Sequence, residues 1–185
     1  MVFYYPLEYT LMEITDSLET DIKDAPDWFH SAISQSPRKE NLNHPLGNVT
    51  YQVWDRKDAQ DIIILIHGTG AHKQWWDPIA PLLSNKFSII APDLPGMGES
   101  DHRNAYNFED FSDALISIFH QEKIVHGNQK VYLVGHSLGG HVAGFLASEF
   151  QDLFHGVVMI DSPIRPPTYD YDKHQSTGPL RRIKY

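Results

Sequence analysis

The pentapeptide Gly135-His136-Ser137-Leu138-Gly139 constrains this chain more than any other stretch, because of what flanks it. On its N-terminal side Val131 to Val134 is apolar and strand-like, and on its C-terminal side Leu138 to Phe150 reads as a helix. A strand that becomes a helix within so few residues needs a very tight turn. Side chains two positions before and two after the central serine would collide there, so glycine is needed at both. The serine hydroxyl then projects above the sheet at a helix N-terminus, where the dipole favours developing negative charge. Gly140, Ala143 and Gly144 are expected to keep the following helix close to the sheet.

The rest of the chain supplies matching elements. Pro26, then Trp28, Phe29, Ala32 and Ile33, mark a short amphipathic helix that Pro37 stops. Val49, Tyr51 and Val53 alternate with polar neighbours, as in a half-buried strand near a sheet edge. Asp61 to Ile66 is apolar after its first residue and suits a central parallel strand covered on both faces. A helix over Trp76 to Leu83, a strand over Phe87 to Ala91, an amphipathic helix from Phe108 to Phe119 and a strand over Val157 to Ile160 complete the series. Strands alternating with helices predict βαβ crossovers, hence an α/β fold with a mostly parallel central sheet and helices on both faces. The 185 residues fit one core. Residues 1–24 read as an N-terminal extension, 25–162 as the core, and 163–185 as a polar, Pro-rich segment without a further strand.

Composition narrows the function. A formal net charge of −9 repels phosphate backbones and anionic lipid headgroups, so no nucleic acid and no membrane partner is expected. There is no cysteine, which removes disulfide frameworks and thiolate metal sites. The N-terminus lacks the pattern of a signal peptide, and a cytoplasmic protein acting on a small-molecule substrate is the expectation. Histidines 72, 102, 120, 126, 155 and 174 show no metal-ligand spacing, so neither metal nor cofactor is expected.

His67-Gly68-Thr69-Gly70 leaves the apolar strand directly. Two preorganised backbone N–H groups are the usual way to hold the charge of a tetrahedral intermediate, and the candidates for this oxyanion hole are Thr69 and Leu138. Together the segments HGTGAHKQWWD, APDLPGMGES, VGHSLGGHVAG and VVMIDSPIRPP resemble, in that order, the motifs of the α/β-hydrolase superfamily. The resemblance covers residues 26 to 185 and implies a serine hydrolase with Ser137 as nucleophile, acting on a small ester-like substrate through an acyl-enzyme. Asp93, Gly96, Gly98 and Ser100 are then turn residues, and Trp75 and Trp76 are core aromatics or the lining of an acyl pocket.

One part of the pattern is missing. The superfamily orders its triad as serine, acid, histidine. The histidines after Ser137 are His141, His155 and His174, of which only His174 is imaginable as a base. Asp161, at the end of the next strand, is the candidate acid, with capping of its loop as the alternative. By resemblance, residues 163–185 begin a lid, the last strands of the fold are lacking, and little ester turnover by this chain is expected. A non-catalytic hydrolase-fold binding protein, and a C–C hydrolase or cofactor-free haloperoxidase-like enzyme, are the alternative readings. Oligomeric state is not legible.

Overall fold

The computed structural model describes residues 23–59, 61–124 and 129–164. Six strands form one sheet: β1 (Arg38–Leu42), β2 (Val49–Trp54), β3 (Asp61–Ile66), β4 (Ser88–Pro92), β5 (Lys130–His136) and β6 (Gly156–Ile160). Their order across the sheet is β1-β2-β4-β3-β5-β6. From β4 to β6 the neighbours run parallel, while β1 and β2 join antiparallel at one end. The helices are α1 (Asp27–Ile33), a 3-10 turn (Lys73–Trp76), α2 (Ala80–Leu83), α3 (Phe108–Gln121) and α4 (Leu138–Glu149).

The hydrophobic pattern explains this layering. Ile62, Ile64 and Ile66 of β3 point to one face, where Phe111, Leu115 and Ile118 of α3 and Leu138, Val142 and Leu146 of α4 cover them. Ile63 and Leu65 point to the other face, against Trp76 and Ala80. All five residues from Ile62 to Ile66 are buried. At ~1.5–3 kcal/mol for each fully buried aliphatic side chain, β3 anchors the sheet. Asn107 starts α3 by accepting the Asp110 N–H at 2.6 Å, and Glu109 and Asp110 suit the positive end of its dipole.

Two expectations need correction. The strand over Val49 to Trp54 lies one strand in from the edge, as expected, with β1 pairing outside it from Val49 to Val53. It is, however, buried at five of its six positions rather than half-buried. β1 itself carries no apolar alternation, and ion pairs fasten it. Arg38 donates to Asp55 at 2.8 Å and to Glu122, just past the end of α3, at 2.7 Å, and these hydrogen bonds hold its guanidinium above its ordinary pKa. The helix expected over Trp76 to Leu83 is split into the 3-10 turn and α2, since Pro78 offers no N–H to continue it. The extension at 1–22 and the segment from 165 onward, including His174, lie outside the described residues. No described helix is long and apolar enough to cross a membrane.

Candidate active site

Ser137 sits between β5 and α4 with φ +52° and ψ −117°, a backbone conformation that costs a non-glycine residue on the order of 1–3 kcal/mol. The glycines around it make the conformation possible. A Cβ on Gly135 would lie 2.1 Å from the Gly139 carbonyl oxygen, and one on Gly139 would lie 2.3 Å from the Ile66 carbonyl oxygen. Both glycines of the pattern are therefore required by backbone contact. Gly140 is pinned as well, since its Cβ would meet the Ser162 hydroxyl. Gly144 differs from expectation, because a Cβ there would find only ordinary contacts with Met159 at 3.6 Å.

A serine at the start of a helix usually accepts an N–H from the first turn. Ser137 does not, so its hydroxyl is left over for other work. The turn is held instead by the backbone and by β6. The Ser137 N–H donates to the Ile160 carbonyl at 2.9 Å, and the Ser162 hydroxyl donates to the Ser137 carbonyl at 2.8 Å.

The His67 to Gly70 loop meets this turn edge to edge. β3 and β5 are parallel neighbours, with Ile66 paired to Gly135, so both run out at the same side of the sheet. A Cβ on Gly68 would lie 2.9 Å from His136 Nδ1 and 3.1 Å from Ser137 Cβ. The backbone N–H groups of Thr69 and Leu138, on either side of this contact, donate to no described residue. Trp75, half exposed, stacks on the His136 ring at 5.7 Å with an interplanar angle of 16°. Trp76 is buried in the core. The two tryptophans thus part company, one supporting the site and one supporting the sheet.

Asp161 follows β6, one strand over from Ser137, with φ +48°, and its carboxylate is exposed and accepts no hydrogen bond from a described residue. No described histidine bonds the Ser137 hydroxyl. His136 is stacked on Trp75, the His141 ring lies 3.2 Å from the Pro163 carbonyl, and His155 precedes β6 at the opposite end of the sheet. Among the described residues no cluster of three or more histidine or acidic side chains could hold a metal ion.

Behind the loop lies a charged cluster that the sequence reading took for turn chemistry. Asp93 is fully buried, as is Lys73 but for 1% of its side chain, and their side chains meet at 2.6 Å. Asp93 also accepts the Lys73 and Glu99 N–H groups and the Thr50 hydroxyl. Burial alone would push its carboxyl up, but Lys73 and these donors together hold it below the usual range. A Cβ on Gly98 would strike this carboxylate at 2.3 Å, which explains that glycine. Buried His67 accepts the Leu94 N–H at Nε2, so its proton sits on Nδ1 and is donated to the Gly68 carbonyl at 2.8 Å. Its contact with Asp93 at 3.9 Å therefore joins two acceptors and is no ion pair. Lys73 was not singled out in the sequence. The only signal was a lone cation ahead of two tryptophans, and a solvated lysine gives the same letters.

The family model described as the alpha/beta hydrolase fold matches residues 61–178. A serine hydrolase-like protein of Danio rerio is 29% identical over 120 residues, which are 64% of this chain and 36% of that protein. A probable serine hydrolase of Drosophila melanogaster is 33% identical over 142 residues, 75% of this chain and 41% of that protein. The chain thus spans less than half the length of these relatives. The crystal structure of Cfl2 from Burkholderia cenocepacia superposes with a TM-score of 0.65 at 23% identity, over 79% of this chain and 48% of that one.

Proposed function

Because this chain belongs to the alpha/beta hydrolase fold family, we propose that it is a serine hydrolase acting on a small ester-like substrate through an acyl-enzyme on Ser137. The carrying observation is the strained Ser137 at the tip of β5, its hydroxyl unused by its own helix and its Cβ against Gly68. Such strain persists only where the surroundings impose it. In this reading the Ser137 oxygen attacks the ester carbonyl as its proton passes to a histidine base, which is not among the described residues. The carbonyl oxygen takes up the negative charge and is held by the Thr69 and Leu138 N–H groups. Collapse expels the alkoxide, which takes from the base the proton that Ser137 gave up and leaves as the alcohol, and water then releases the acid by the same route. Asp161 is assigned as the acid that orients the base, since it stands free at the next strand end on the same side of the sheet.

A fluorophosphonate, whose phosphorus stands in for the acyl carbon, tests this reading. Intact mass and peptide mapping should find a single adduct, on Ser137, and Ser137→Ala should abolish it. Asp161→Asn should slow labelling, because an amide no longer orients and charges the base. Labelling elsewhere, or undiminished labelling of Ser137→Ala, would overturn the nucleophile. Undiminished labelling of Asp161→Asn would overturn only the acid.

A further inference from the structure

Two contacts clamp the loop that carries Thr69, and both fall on adjacent residues of the segment after β4. At the start of the loop, His67 Nε2 accepts the Leu94 N–H at 3.0 Å. At its end, the Lys73 N–H donates to Asp93 Oδ1 at 2.6 Å. Lys73 then reaches back with its own ammonium to Asp93 Oδ2 at 2.6 Å, to Glu99 at 2.5 Å and to Thr50 on β2 at 3.1 Å. One residue therefore supplies both the backbone donor that ends the loop and the cation that keeps its acceptor ionised. The 3-10 turn that Lys73 opens also carries Trp75 onto His136, the neighbour of Ser137. Loop and nucleophile are thus referred to a common frame.

A buried ion pair is a poor device for stability, since an apolar pair of the same size commonly does as well or better. What it can supply is a fixed geometry. Resting on the oxyanion reading of Thr69, we infer that Lys73 is a positioning residue: with Asp93 it sets where the Thr69 N–H stands relative to Ser137. Lys73 touches no reacting atom in this assignment. Its effect passes through the Asp93 carboxylate to the Lys73 N–H, and from there along residues 67–72.

The test compares the protein with Lys73→Met by hydrogen exchange and by fluorophosphonate labelling. Exchange of the hydrogen-bonded amides of the clamp, those of Ala71, position 73 and Leu94, should rise about 10-fold or more while β3 and β5 are unchanged. The limiting labelling rate at Ser137 should fall about 10- to 100-fold, with the half-saturating probe concentration unchanged, as expected of a misplaced oxyanion donor. If Lys73→Met fails to fold, Lys73→Met with Asp93→Asn removes both charges at similar volume and should give the same two results. A folded variant with native loop exchange and native labelling overturns the inference. So does exchange that rises equally in β3, β5 and the loop, which is what a purely structural role produces. Altered loop exchange in a protein that no fluorophosphonate labels would leave Lys73 as the clamp and overturn the serine hydrolase reading instead.

Discussion

His67 has its protonation fixed by three neighbours, and that makes its titration a sharp test of the loop. Burial lowers its pKa from 6.5 in spite of the Gly68 carbonyl and Asp93, which act the other way. A second proton would have to sit on Nε2, facing the Leu94 N–H that now donates to it. The unfolded chain takes that proton more readily than the folded one. The contribution of His67 to stability is therefore complete above about pH 6.5 and is lost as pH falls toward the folded value, at up to ~1.4 kcal/mol per pH unit. Nitrogen-15 NMR should find His67 as the neutral Nδ1–H tautomer, protonating only below 6.5; protonation at or above that value in the folded protein would sink the assignment. Ser137 and the two glycines around it were legible in the sequence because only glycine fits where backbones touch. The Lys73 to Asp93 pair was not legible, since nothing local to either residue says that a lysine will be buried.

At the scale of elements, α4 separates glycines that the fold needs from one that it does not. Gly139 packs its Cα against the Ile66 and His67 carbonyls, where a methyl would lie at 2.3 and 2.5 Å. Gly139→Ala must therefore push the helix off β3, and we expect it to cost ~3 kcal/mol, the upper range for overpacking. Gly144, in the same helix, faces only the Met159 side chain at ordinary contact distance. Gly144→Ala should stabilise the protein by ~0.5–1 kcal/mol through helix propensity. Urea unfolding of both variants checks the contrast, and equal destabilisation would refute it. The sequence marks Gly139 as part of the pentapeptide but could not show that Gly144 is dispensable, because that depends on what β6 brings near it. Elements with strong apolar periods, β3 and α3 above all, were readable from the letters. β1 was not, because its pairing with β2 is fastened by Arg38 to partners distant in sequence, a pattern that carries no period.

At the scale of the whole molecule, among the described residues the sheet is finished at one end and open at the other. On the β1 side, charged and polar side chains line the last strand, as edges that avoid further pairing usually do. On the β6 side the last described strand is Gly-Val-Val-Met-Ile, with Val158 53% and Ile160 42% exposed. The parallel register puts Val158 beside Val134 and Ile160 beside His136, so this bare face continues the one that Trp76 and Ala80 cover further along the sheet. An apolar strand with free backbone N–H and carbonyl groups is a template for pairing with another chain. The 185-residue chain is therefore expected to self-associate as its concentration rises. Placing a lysine in the middle of this face opposes that association, because pairing would then desolvate a charge. Val158→Lys should shift sedimentation-velocity profiles toward the monomer without lowering the thermal midpoint, since Val158 is more than half exposed and little packing is lost. A wild-type chain that stays monomeric across the accessible concentration range, or a Val158→Lys variant that associates as strongly as the parent, would mean that the open side of the sheet is not the sticky one.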